Sequence, residues 1–242
     1  MSNTNSVSVQ PGFGATWLLM KDELQGFARS SVMLAMWVGI PLMGIALYFV
    51  LPDRLPVNTL SEEKFVLPMS SFLSVTLSSI AGLLAATLVS IEVVNEKNRK
   101  VYDLFLIRPI RRSSFMWAKF LAVSFCVSVA IILAMTAGIL VDLIRGVEIG
   151  SLMMESIFNS TLAAVGVVVV STAAGILIGM LSNTVIMAVL LVWFLGQYVM
   201  LIPWLAALIP IPWVQGVTHG LTFVLTVAMM LGAVALFKRM ET

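Results

Sequence analysis

Charge is scarce in this chain, and the scarcity indicates which solvent surrounds most of it. Only 11% of its 242 residues are charged, whereas 60% are hydrophobic, and the mean hydropathy is +1.05. Soluble domains carry roughly 25% charged residues and about half apolar ones. A soluble fold of this length could not hide so much apolar surface from water. The composition therefore predicts a protein whose main solvent is lipid.

Other absences exclude further classes of protein. The single cysteine, Cys126, cannot form an intrachain disulfide, and the single histidine, His219, has no neighbouring ligands with metal-site spacing. No Gly-Lys-Ser or Gly-Lys-Thr occurs, so the chain has no phosphate-binding loop of its own. No ionisable residue lies in the middle of an apolar run, which argues against a proton-driven carrier and an intramembrane enzyme. We expect no catalytic residues, no bound cofactor or metal, and no nucleic-acid partner.

Uncharged apolar runs recur along the whole chain at the length that a bilayer requires. A helix crosses the hydrocarbon core with about 20 residues. Continuous runs of this kind predict helices and not the alternating strands of a β-barrel. We therefore predict an all-α fold in which residues 1–242 form one transmembrane domain. Its six spans are expected at about 31–51, 68–91, 120–141, 157–181, 184–202 and 220–237.

The basic residues predict the orientation of these spans. With the N-terminus in the cytoplasm, eleven of the 14 lysines and arginines lie inside and three lie outside, as the positive-inside rule requires. Both termini are then cytoplasmic, in a multi-pass protein of the cell (inner) membrane. Residues 1–12 read as a disordered tip. Residues 13–30 have an amphipathic pattern, typical of a helix in the lipid headgroup layer or of a helix packed on a partner.

One loop carries far more charge than the others. Residues 92–119 hold seven of the 14 basic residues, yet their middle is apolar, with Val101, Leu104 and Phe105 on one helical face. Pro109 disfavours helix at the residue before it, so a short helix should end there. Such a helix could dock on a cytoplasmic protein, or the loop could lie against anionic lipid. Lipid contact explains the arginines but not the apolar core.

This loop resembles the cytoplasmic loop of ABC-2-class exporter permeases. The resemblance includes the topology of the whole chain. The loop departs from the family at three positions: Lys100 and Val101 stand where that family usually has Gly and Thr, and Asn98 replaces a common acid. The matching positions are Glu96, Asp103, Leu104, Phe105, Pro109, Arg112 and Lys119.

The resemblance implies that the loop contains a coupling helix which fits a groove on a separate ATPase. Two permeases, identical or paralogous, would then assemble with two ATPase subunits that bind ATP and magnesium. The coupling residues would be Glu96, Val101, Tyr102, Asp103, Leu104, Phe105, Arg108, Pro109, Arg111 and Arg112. The alternatives are a secondary transporter or channel, and a membrane anchor that transports nothing.

The segment between the last two spans, residues 202–220, is outside the membrane by topology but carries no charge. Prolines make one continuous helix improbable there, and tryptophan prefers the interface. We predict a re-entrant hairpin, with a short helix at 204–209 and a return to Gly216, that closes the outer end of a pathway. A shallow interfacial segment is the alternative. The gate residues would be Pro203, Trp204, Leu205, Pro210, Pro212 and Trp213.

Small and hydroxyl side chains mark two further positions. Gly175 and Gly179 form a small-xxx-small pair typical of close helix packing, within the subunit or between subunits. Serines and threonines are concentrated at 70–79, at the start of the second span. They could line a translocation path, or they could bond to backbone carbonyls and help helices pack.

Overall fold

A computed structural model of the chain describes residues 13–50, 69–99, 112–144, 150–208 and 211–239. Within these residues the regular structure is entirely α-helical. The helices, which we number in chain order, are α1 (Phe13–Arg29), α2 (Ser31–Val50), α3 (Met69–Asn98), α4 (Arg112–Ile144), α5 (Ser151–Leu181), α6 (Val185–Leu208) and α7 (Pro212–Arg239). The predicted disordered tip lies outside the described residues.

Five of these helices, α3 to α7, are long and apolar enough to cross a membrane, and α2 reaches that standard only when it is counted together with α1. This is the architecture of a multi-pass helical membrane protein. α5 is the most enclosed, with 72% of its most apolar stretch buried, whereas the corresponding stretch of α6 is only 22% buried. α5 is therefore the central helix, and α6 presents most of its surface outward.

α1 and α2 meet at a sharp bend. Their axes differ by 67°, and Ser30 lies between them, donating its N–H to the Phe27 carbonyl and accepting from the Met33 and Leu34 amides. Leu24 and Phe27 of α1 pack against the core, whereas Trp17 is exposed. α1 therefore has one face on the bundle, chiefly on α4, and one face free.

α3 and α5 pack so closely that glycine is required between them. A Cβ added to Gly175 would lie 2.5 Å from the Ala86 carbonyl oxygen, and one added to Gly179 would lie 3.0 Å from that of Ser90. The two glycines therefore lie against the backbone of α3 within the same chain. Close approach of this kind strengthens dispersion contacts where the lipid supplies no hydrophobic driving force.

The helices are longer than the apolar runs that predict them. α3 continues from the predicted end at 91 to Asn98, and α4 begins at Arg112 instead of 120. The charges on these extra turns mark where the apolar, membrane-crossing stretch ends, but they do not end the helix. The extra turns lie packed at one end of the bundle, where Val93, Val94 and Met116 are fully buried. We call this end the loop end, because residues 100–111 connect α3 to α4 there.

The predicted short helix at 204–209 is wrong as a separate element. α6 passes through Pro203 without interruption to Leu208, and α7 begins at Pro212 and continues to Arg239. Membrane helices tolerate an internal proline because neighbouring groups satisfy the freed carbonyl, and proline is favoured in the first turn of a helix. The arms of the predicted hairpin are thus the ends of α6 and α7, at what we call the far end of the bundle.

Candidate functional site

Most of the predicted coupling residues lie outside the described residues. These are Val101, Tyr102, Asp103, Leu104, Phe105, Arg108, Pro109 and Arg111. Arg112 is the first residue of α4. Glu96 is on the last turns of α3, and its surroundings show what supports the loop.

Glu96 contacts a buried lysine at the start of the next helix. The Lys119 ammonium donates to Glu96 Oε1 at 2.5 Å, and Glu92 Oε2 lies 3.2 Å from the same nitrogen. The Glu92 contact is an ion pair without the alignment of a hydrogen bond. Glu92 and Glu96 are four residues apart and so share one face of α3. Lys119 is 0% exposed, so its charge is matched within the protein and not by water.

α1 completes this arrangement with a third carboxylate. Glu23 interacts electrostatically with the Lys119 ammonium. Burial raises the pKa of Glu23 above its ordinary value, while the nearby Lys119 ammonium acts in the opposite direction. The ammonium also lies 5.4 Å from the centre of the Phe115 ring, within cation–π range. We call Glu23, Glu92, Glu96 and Lys119 the Lys119 cluster; it joins α3 and α4 at the loop end, and Glu23 of α1 adds electrostatic attraction.

A second lysine ties the same end of α3 to the turn between α5 and α6. The Lys97 ammonium donates to the carbonyls of Met180 and Ser182, at 3.3 and 3.2 Å, and to Asn183 Oδ1 at 3.2 Å. A cation at this position satisfies carbonyls that the end of α5 leaves open and complements the helix dipole. The last two turns of α3 thus contact α4 and the α5–α6 turn.

At membrane depth, α3 and α6 enclose a cavity of about 310 Å³. Most of its lining is apolar, but Gln197 contributes an amide and Trp204 an indole. The Trp204 Nε1 is buried and has no hydrogen-bond partner among the described residues. A buried donor without a partner costs free energy. The lining residues are Ser79, Ile80, Leu83, Gln197, Met200, Leu201 and Trp204.

A second hollow lies on the outer surface of α6. It measures about 570 Å³ and shares Gln197 and Leu201 with the first cavity. Phe194 and Tyr198 in its wall are 71% and 69% exposed. Gln197 lies near the midpoint of the α6 span, residues Val185–Ala206, and is exposed. The two hollows therefore flank a polar amide at the depth where polar groups are costly and usually functional.

The predicted gate residues do not form one cluster. Pro203 is buried in α6, where a Cβ on Gly166 of α5 would lie 3.5 Å away. Trp204 lines the cavity, whereas Leu205 and Trp213 are 45% and 71% exposed. Pro212 begins α7, and Pro210 lies outside the described residues. At the far end of α6, Pro203 and Trp204 thus lie on the side that faces the bundle, and Leu205 lies on the exposed side.

The hydroxyl groups of α3 serve packing as well as the cavity. Ser74 donates to the Ser160 carbonyl of α5 at 2.9 Å, whereas Ser78 and Ser79 both donate to the Val75 carbonyl on their own helix. Only Ser79 of these also lines the cavity. The hydroxyls of Ser74, Ser78 and Ser79 thus bond to backbone carbonyls, as the packing interpretation predicts.

The sequence interpretation missed the Lys119 cluster. The sequence does contain a signal for it: Glu92 and Glu96 are four residues apart, and Lys119 lies at the edge of the next apolar run. The resemblance, however, assigns Glu96 to the docking surface and does not pair it with Lys119. Across the described ranges, no group of three His, Cys, Asp or Glu side chains is arranged to hold a metal. The three carboxylates of the cluster surround an ammonium instead.

Comparison with known proteins does not assign the chain to a family. No family model matches the sequence, and no curated protein matches it. The structure thus defines a helical multi-pass membrane protein, and any function is a proposal from the chain's own residues.

Proposed function

We propose that this chain is the membrane-spanning permease subunit of an ATP-driven exporter of the ABC-2 class. It has six spans, with α1 in the headgroup layer and both termini in the cytoplasm. The loop end is then cytoplasmic, and residues 100–111 hold the coupling helix. A separate ATPase, in two copies, supplies the energy to a pair of permeases, and the chain itself is not an enzyme.

The observation that supports this proposal most directly is the construction of the loop end. α3 and α4 extend beyond their apolar stretches, and a buried ammonium holds these additional turns together. A loop that only lies on lipid needs no such support. A loop that receives force from a partner does, because a flexible base would absorb the displacement.

The cavity favours a transporter over an anchor. An anchor for a cytoplasmic partner needs no hollow between helices at membrane depth, whereas a carrier of amphipathic cargo needs an apolar space with a few polar groups. The space between α3 and α6 has that character. We infer that the cargo is amphipathic.

The external gate remains part of the proposal in a revised form. The ends of α6 and α7, not a separate hairpin, would close the pathway at the outer face. Trp204 is the residue that connects the two features, because it lies on the last turns of α6 and also lines the cavity.

Co-purification with the ATPase subunit tests the proposal. Leu104→Asp places a charge where an apolar side chain would be buried at the interface, which costs several kcal/mol. The ATPase should then be lost from the purified complex. Leu60→Asp, the same change in the loop 51–68 on the opposite side, is the matched control and should retain it. If both variants retain the ATPase equally, the loop does not have the coupling role. If the wild-type chain binds no ATPase, the proposal is wrong.

A further inference from the structure

The Lys119 cluster connects the two ends of the loop that we propose to receive the ATPase. Glu92 and Glu96 lie before residues 100–111, and Lys119 lies after them. The loop is therefore closed at its base by the contacts from the Lys119 ammonium to the two α3 carboxylates, at 2.5 and 3.2 Å. Glu23 of α1 adds an electrostatic attraction to the same ammonium.

A buried ion pair contributes little to the stability of a fold, but it fixes the relative positions of the groups that it joins. Only the ammonium is fully buried here, since the Glu92 and Glu96 side chains keep 40% and 21% of their surface exposed. Desolvation of the ammonium offsets much of its attraction to them, so an apolar side chain of equal volume could stabilise the fold as well. A lysine with no exposed surface, paired with two carboxylates of α3, therefore calls for an explanation other than stability. Its hydrogen bond to Glu96 and its ion pair with Glu92 fix how α3 and α4 lie relative to one another.

The neighbouring residue extends the connection to the helix that lines the cavity. Lys97 contacts the carbonyls of Met180 and Ser182 and the side chain of Asn183, and α6 begins at Val185. A displacement of the last turns of α3 would thus reach α4 through Lys119 and α6 through Lys97. Both contacts leave α3 within a single turn.

We propose that Lys119 is a positioning residue that makes the ends of α3 and α4 move as one body, so that loop displacement reaches the cavity. This inference rests on the proposed function and adds a role for residues that contact neither ATP nor cargo. The expected consequence is specific. Breaking the cluster should leave the ATPase bound but reduce the cargo moved per ATP hydrolysed.

Charge exchange in the complete complex tests this role. Lys119→Glu and Glu96→Lys should each reduce transport per ATP by roughly threefold to thirtyfold, the range found for mutations along coupling networks. The double variant restores an opposite-charge pair and should recover most of the loss. Lys119→Arg, which keeps the charge, should stay near wild type, and Lys21→Met, at an exposed lysine of α1, is the control. Fluorescently labelled lipids or detergents serve as trial cargo. Transport is measured as the change in their accessibility when ATP is hydrolysed.

Three outcomes overturn the inference. The first is that Lys119→Glu matches Lys21→Met in transport per ATP. The second is that the double variant is no better than the worse single variant although it remains folded, as judged by its unfolding midpoint. The third is that the single variants release the ATPase, which would make the cluster part of the docking surface. If the wild-type chain binds no ATPase, the proposed function fails instead, which the same purification shows.

Discussion

Gly175 provides the sharpest test of how the bundle is packed. In Gly175→Ala the new Cβ would lie 2.5 Å from the Ala86 carbonyl oxygen and 2.7 Å from Ala86 Cα. Both atoms belong to the α3 backbone, so no side chain can rotate away to make room. Ordinary van der Waals contact begins at 3.4 Å, so α3 and α5 must separate by about 0.9 Å at this point. A gap of that size forfeits about a quarter to a half of each affected dispersion contact.

Overpacking of this kind costs about 1 to 3 kcal/mol. The alanine also gains about 0.5 to 1 kcal/mol in helix propensity over glycine, which hides part of the cost. Gly138→Ala on α4 is the matched control, because a Cβ there meets nothing within 4 Å. The difference between the two variants therefore isolates the packing cost.

Unfolding in mixed micelles, followed by the fluorescence of the six tryptophans, gives the comparison. We expect Gly138→Ala to be at least as stable as the wild type, and Gly175→Ala to be less stable than Gly138→Ala by about 1 to 3 kcal/mol. Equal midpoints for the two variants would refute the close approach of α3 and α5.

Three further predictions concern topology, the far end of α6 and the cavity. Single cysteines at Asn58 and Asn98 should label from opposite sides of sealed vesicles; labelling of both from one side would contradict the orientation. Cysteines at Leu205 and Leu208 should react with external reagents mainly during ATP-driven turnover, and constant full reaction at both sites would rule out a gate. Trp204→Phe removes a buried donor that has no partner among the described residues, and relief of that cost of about 1 to 3 kcal/mol should offset the lost packing. Its unfolding midpoint should stay close to wild type, and a large loss of stability would show that the indole N–H is satisfied after all.

The sequence is informative about features that depend on local composition. An uncharged run of about 20 residues has one stable form in lipid, so the long helices follow from hydropathy alone. The ends of those helices do not. The charges on Glu92, Glu96 and Lys119 show where the apolar run stops but not whether the helix continues, and here α3 and α4 continue past it.

Features that join distant parts of the chain are harder to predict. Lys119 and Glu96 are 23 residues apart, and Lys97 and Ser182 are 85 apart, so no local pattern pairs them. Pro203 misled the prediction for a different reason. A proline breaks a helix in water, but in a packed bundle its neighbours compensate and the helix continues.

The most direct test of the central claim is ATP hydrolysis by the partner ATPase in lipid nanodiscs. It should be measured without this chain, with the wild-type chain and with Phe105→Asp, whose charge would fall on the apolar face proposed to dock. The account predicts that the wild-type chain changes the hydrolysis rate severalfold, and that Phe105→Asp, though folded and inserted, leaves the rate at its value without the chain. An identical rate in all three samples would contradict the account, because the ATPase would then work without this chain.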